Sequence, residues 1–193
     1  MTINLFNKSA TDTQFPQNMN SDSEMGGSSD MVSDKVSTSL LRPQFWSRFA
    51  LAELNHSEWE ALCDGCGSCC LIKYIDNDDD EEMVEYTDVT CQLMDCATGY
   101  CQHYDTRQEH VPDCIQLTIE NLPKMMWLPS HCAYKRLYKG QSLPSWHLLL
   151  TQDAVTTQQQ MRTANVGVAG RCISETGMSD EEMETRVVNW VNP

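Results

Sequence analysis

Nine of the ten cysteines in this chain fall between Cys63 and Cys132, and none precedes Cys63. No other feature limits the possible folds so strongly, because so many thiols packed into one stretch must either be bridged, hold metal or be buried. The first thirty residues lack a cationic start running into an apolar block, so no secretory signal is expected. A cytoplasmic location follows as the expectation, and there the surroundings keep thiols reduced. Reduced and clustered cysteines point to a metal site rather than a disulfide scaffold.

The cluster opens as Cys63-Asp64-Gly65-Cys66-Gly67-Ser68-Cys69-Cys70, a C-x2-C-x2-C-C octet. Each C-x2-C turn brings two sulfurs to one side of a tight loop, near enough to share an ion. Gly65 and Gly67 allow the positive φ values such knuckles use. The first three spacings also match the start of a ferredoxin-type run. Successive side chains diverge, so one of Cys69 and Cys70 is expected to face a second metal or a buried core. Cys91, Cys96, Cys101, Cys114 and Cys132 follow. Two tetrahedral sites need eight thiolates, so two centres are arithmetically possible, and so is one centre with buried spare cysteines. The spacing does not separate zinc from iron.

Around this cluster the chain divides into a tail and a domain. Residues 1–42 are rich in Ser, Thr, Asn, Gln and Gly with no sustained apolar period, and are expected to form a disordered N-terminal tail. Residues 43–193 are expected to form one cysteine-cluster metal-binding domain with a C-terminal helix. Phe45, Trp46, Phe49 and Leu54 stand at roughly helical spacing, and Ser57 with Glu60 reads as a capping box for a short helix delivering Cys63. Asp76 to Glu85 holds seven acids and no base, and reads as a solvated loop. Ser130 is expected to cap a helix through Ala133 and Tyr138 that ends at Gly140, with Cys132 in its first turn. Val166 to Ile173 reads as a strand, and Ser179 with Glu182 as the start of a last helix reaching Val191. Together these elements predict a small α+β domain, helix-rich and loop-rich, organised around a cysteine-bound metal centre.

Charge narrows the partners. Thirteen Lys and Arg against 28 Asp and Glu leave a formal charge of −15, which repels a phosphate backbone and argues against nucleic-acid binding. No run of about 18 apolar residues occurs, so no membrane-spanning helix is expected. Residues 121–152 carry Lys124, Lys135, Arg136 and Lys139 without an acid, a basic segment suited to a protein partner. Arg107 and Arg136 are candidates to balance a thiolate-rich centre. His103, His131 and His147 are read as hydrogen-bonded residues rather than ligands.

The octet joins other motifs: Cys91-Gln92-Leu93-Met94-Asp95, Cys101-x-x-Tyr104-x-x-Arg107 leading to Pro112-Asp113-Cys114, Trp127-Leu128-Pro129, Cys132-Ala133-Tyr134 and Leu143-Pro144-x-Trp146-His147. Jointly these resemble the CxxCxxCC cysteine-cluster family of zinc- or iron-chelating domains, and within it the UPF0260 subgroup. The resemblance spans residues 45–175 and implies metal binding through Cys63, Cys66, Cys69, Cys70, Cys91, Cys101, Cys114 and Cys132. It implies zinc or iron as cofactor, and an iron–sulfur cluster is brought in by flagellin lysine N-methylases that carry the same motif. Gly99 stands where subgroup members often have Cys, and Cys96 and Cys172 are extra, so neither of these two is expected to ligate. Two functions stay open: a metal-binding protein without catalysis, and an iron–sulfur redox or protein-modifying enzyme component. No G-x-G-x-x-G, P-loop, H-E-x-x-H or G-x-S-x-G motif supports the second.

Overall fold

The computed structural model describes residues 2–4, 41–76, 83–125 and 127–193. Its element order is β1 (Thr2–Asn4), α1 (Phe45–Arg48), α2 (His56–Glu60), β2 (Leu71–Asp76), β3 (Met83–Thr90), β4 (Met94–Asp95), β5 (Tyr100–Cys101) and α3 (Arg107–His110). Then come α4 (Ala133–Tyr138), α5 (Leu148–Thr151), α6 (Ala154–Thr163), β6 (Ile173–Ser174), α7 (Asp180–Glu184) and β7 (Val187–Val188). Short helices and short strands linked by turns make this an α+β chain, as its sequence predicts. Most of the expected tail lies outside the described residues. Within it, Thr2–Asn4 pair antiparallel with β2, and Arg42 is fixed to Glu58.

The spine is the β2–β3 hairpin. Leu71-Ile72-Lys73-Tyr74-Ile75 and the strand from Val84 to Thr90 are rich in β-branched and aromatic residues, which suit a pleated, half-buried surface. Their antiparallel register sets Ile75 opposite Val84 and Leu71 opposite Thr90, with a bulge between Leu71 and Lys73. The acidic run therefore begins and ends in strand, at Asp76 and at Met83–Glu85, and its centre lies outside the described residues. β3 also takes β6 in parallel and β7 antiparallel.

One core cluster lies on the helical side of this sheet. There Phe45, Leu62, Ile75, Leu122, Trp127, Leu128, Ala133, Tyr134 and Leu143 are buried together. A second gathers Leu71, Tyr86, Met94, Val168, Cys172 and Val191. The Tyr86 hydroxyl donates to the Trp127 carbonyl and so ties one cluster to the other.

Four local expectations are corrected. The α2 cap is Asn55, not Ser57: its Oδ1 accepts from the Glu58 N–H at 3.0 Å, and Glu58 returns a bond to the Asn55 N–H at 3.1 Å. Glu58 is fully buried and is held there by Arg42, whose Nε and Nη2 donate at 2.7 and 2.6 Å. Cys132, not Ser130, stands at the α4 N-cap. The strand read over Val166 to Ile173 shrinks to β6, because Asn165, Gly167 and Gly170 take positive φ and break any extended run. The last helix, capped by Ser179 and Glu182 as predicted, stops at Glu184. Arg186 then grips Asp88 through two hydrogen bonds of 2.7 and 2.6 Å, and Val187–Val188 leave as a strand. Among the described residues no helix is long and apolar enough to cross a membrane.

Candidate metal centre

The octet follows α2 directly and runs into β2, so a helix and the sheet spine anchor its two ends. Gly65 and Gly67 both take φ near +70° (70° and 73°). A Cβ at Gly65 would stand 2.6 Å from the Tyr100 ring, and one at Gly67 would collide with Val168. Both glycines are required for conformation and for space. The turns point backbone N–H groups at sulfur. Gly65 donates to Cys63, Leu93 to Cys91, and Tyr134 and Lys135 at the start of α4 to Cys132. Arg107 donates to Cys114. Donors aimed at sulfur favour the thiolate.

A cleft of about 100 Å3 is lined by Cys63, Cys69, Cys70, Cys91, Cys101 and Cys114, with walls that include Trp59, Tyr104, Arg107, Ile115, Trp127 and Tyr134. Cys66 and Cys132 stand outside that lining. Electrostatic contacts sort the eight thiols into two neighbourhoods. Cys63, Cys66, Cys69 and Cys132 sense one another, while Cys91 senses Cys101 and Cys114, and Cys114 interacts with both Cys70 and Cys69. Cys69 and Cys70 join the two groups. Their sulfurs do not diverge as expected but stand 3.8 Å apart, because both residues lie in a 3-10 turn. Among the described residues no three His, Cys, Asp or Glu side chains are gathered at ligand geometry around one point. Six of the eight thiols line the cleft, and Cys66 and Cys132 stand beside it.

Without an ion, burial dominates the thiol chemistry. It pushes Cys132 up to about 12 and Cys66 well above its ordinary value, and the neighbouring Cys69 raises both further; Cys63, whose residue keeps an exposed surface, is raised by Cys69 and Asp64 as well. Two observations show that the surroundings nevertheless suit negative charge. Lys73 is completely buried, and its Nζ donates to the Cys69 carbonyl at 3.0 Å while lying 4.4 Å over the Trp127 ring. A buried ammonium is costly unless anionic charge stands near it. Ser68, inside the octet, buries a hydroxyl that has no partner among the described residues. Thiolate donors, aimed N–H groups and a buried cation fit a soft or borderline metal such as zinc or iron.

Lys73 is the site residue that sequence reasoning missed. Its only signal is a lysine set among the apolar residues of Leu71-Ile72-Lys73-Tyr74-Ile75. Of the two arginines considered, Arg107 reaches the site, whereas Arg136 donates to the Ser142 carbonyl at 2.7 Å. Lys135, expected on the basic face, is instead buried, with Nζ on the Leu128 carbonyl at 2.7 Å. His147 is fully buried between the Leu62 carbonyl and the Leu149 N–H, as a structural histidine.

A cysteine-lined cleft in a small α+β chain is the feature of a metal-chelating domain, and residues 62–133 match the CxxCxxCC family, described as a "putative zinc- or iron-chelating domain". A UPF0260 protein of Shewanella pealeana is 44% identical over 146 residues, covering 76% of this chain and 94% of that protein. One from Parvibaculum lavamentivorans is 42% identical, covering 76% and 92%. The chain belongs to the UPF0260 family. No solved structure matches it.

Proposed function

We propose that this protein chelates zinc or iron, the latter alone or as an iron–sulfur cluster, through Cys63, Cys66, Cys69, Cys70, Cys91, Cys101, Cys114 and Cys132. The observation that carries this reading is the convergence of octet, β3–β4 turn, β5 and the α3–Cys114 segment on one cleft, with Cys132 at the α4 N-cap acting on the octet thiols beside it. The two neighbourhoods supply four ligands each: Cys63, Cys66, Cys69 and Cys132 in one, Cys70, Cys91, Cys101 and Cys114 in the other. Lys73 and Arg107 offset the negative charge that four thiolates leave on a divalent ion. The metal supplies cross-linking of distant segments and, if it is iron, electron transfer. The protein's residues orient the thiolates and exclude water with Trp59, Trp127 and Tyr134.

Metal analysis and the visible spectrum of anaerobically purified protein test this reading. Two zinc ions per colourless chain, or a brown chain with a broad band bleached by dithionite, support it. Fewer than one metal per chain under both conditions refutes it. A redox or protein-modifying enzyme is the second reading, favoured by the cleft's being open and walled by Trp59, Tyr104 and Tyr134. Turnover requires an exchangeable position, so an iron spectrum that changes on adding small thiols or cyanide supports this alternative. A cytoplasmic location and a protein partner on the basic 121–152 segment complete the proposal.

A further inference from the structure

Cys96 and Cys172 lie outside the cleft, yet they meet. Cys96 follows β4 in the β4–β5 hairpin and is half-buried. Cys172 immediately precedes β6 and is buried among Leu71, Tyr86, Met94, Val168 and Val191, with Cys96 packed on the same cluster. Cys96 raises the Cys172 thiol as a close neighbour, and the backbone brings the two segments together, since the Gly170 N–H, two residues before Cys172, donates to the Cys96 carbonyl at 2.7 Å. Residues 168–172 also reach the octet, where the Val168 N–H donates to the Cys66 carbonyl at 2.9 Å. This strap therefore links the cysteine knuckle to the hairpin that carries Cys101.

We propose that Cys96 and Cys172 form a disulfide-forming pair, closed by exchange with a low-molecular-weight disulfide such as oxidised glutathione, that clamps the strap to the hairpin. The pair is independent of whether the cleft holds metal. Cys96 is the attacking sulfur because it alone of the two reaches solvent. Its thiolate attacks one sulfur of the oxidised glutathione, whose S–S bond breaks and releases one glutathione thiolate. Cys172 then loses its proton and attacks the Cys96 sulfur of the mixed disulfide, expelling the second glutathione. Two protein thiols are oxidised, one disulfide is reduced to two glutathione thiols, and the two protons leave with them. Packing on one cluster, with the strap backbone bonded to the Cys96 carbonyl, brings the two side chains close enough for a bridge to form by side-chain adjustment. The bond would close a loop of about 75 residues, long enough to restrict the unfolded chain strongly.

The test is incubation of the full-length protein, as purified with its metal, in oxidised glutathione, followed by alkylation, non-reducing peptide mapping and thermal unfolding. The expected result is one linked peptide joining Cys96 to Cys172, and a melting temperature about 5–10 °C higher that reverts with dithiothreitol. Cys172→Ala should stop at a glutathione adduct on Cys96, and Cys96→Ser should give neither adduct nor shift. Cys96→Ser also guards against a folding defect in the first variant, since its site is partly exposed. Full alkylation of both cysteines after oxidation, or linkage of either to a cleft cysteine, overturns the proposal. Metal content separates this result from a failure of the chelation reading, because both variants should keep the parent's complement.

Discussion

The cleft cysteines and the Cys96–Cys172 pair are the same residue in two different surroundings. In and beside the cleft, backbone N–H groups aim at Cys63, Cys91 and Cys132, Arg107 meets Cys114, and Lys73 is buried beside Cys69. Around Cys172 the neighbours are Leu71, Tyr86, Met94, Val168 and Val191. Burial raises the thiol in both, but only the first environment also supplies N–H donors and cations that offset it. What a cysteine does here is set by the donors its backbone neighbours supply.

The strongest way to break that comparison is to remove an octet thiol in or beside the cleft. Cys63→Ser or Cys66→Ser should release metal and destabilise the whole domain. Metal-site formation is worth on the order of 10 kcal/mol, comparable to a domain's net stability of about 5–15 kcal/mol. Metal content and thermal unfolding beside the parent check it; a variant that keeps its metal and melts within about 2 °C of the parent refutes it.

The buried cation sharpens the comparison next. Lys73→Met keeps the volume and deletes the charge. The metal-free protein should become as stable or more so, since a buried ammonium is removed. Metal affinity should fall at least about tenfold, as on loss of an outer-shell partner. Competition against a chelator and metal-free unfolding curves read the two effects. A parallel change in both would make Lys73 a packing residue only.

Acid provides a smaller test that lies outside both thiol groups. Arg42 holds the Glu58 carboxyl down at about 2, against about 4.3 in an unfolded chain. A depressed carboxylate contributes stability that is complete above its unfolded value and is lost as pH falls through the folded one. Metal-free parent should therefore lose stability between about pH 4.5 and 2, and Glu58→Gln should be flatter across that window. Metal-loaded protein should fail at higher pH, where protons compete for thiolates. Coincident acid transitions for loaded and metal-free protein would contradict the cleft's role.

The smallest effect is expected at the N-terminus. Removing residues 1–40 should leave metal content unchanged and shift the melting temperature by no more than about 2 °C. Of that stretch, only the three residues of β1 are described against β2. A loss of several degrees would show that the segment supports the sheet beneath the cleft.

The octet was legible because its chemistry is local: spacing and two glycines specify the knuckle without reference to the rest of the chain. The Ser179 cap was legible for the same reason. Lys73 and the Cys96–Cys172 contact were not, since each depends on which distant surfaces the sheet brings together. Ser57 and Asn55 offer caps two residues apart, and the choice falls to Asn55 because Arg42 stabilises Glu58 from outside the local window. The last helix was read too long because the periodicity of Met183 and Val187 continues, whereas Asp88 draws Arg186 into the sheet. Local signals located the ligands; tertiary charge and packing decided what surrounds them.

The Val168-to-Cys66 hydrogen bond has a consequence for biosynthesis. About 100 residues separate donor from acceptor, and at about 5–20 residues per second their synthesis takes roughly 5–20 s. During that interval the octet has left the ribosome without the strap that completes it. A nascent chain must therefore carry its octet thiols unsheltered until the strap has been made and released. Metal arriving early meets a loose chelating peptide, and metal arriving after release meets a finished cleft.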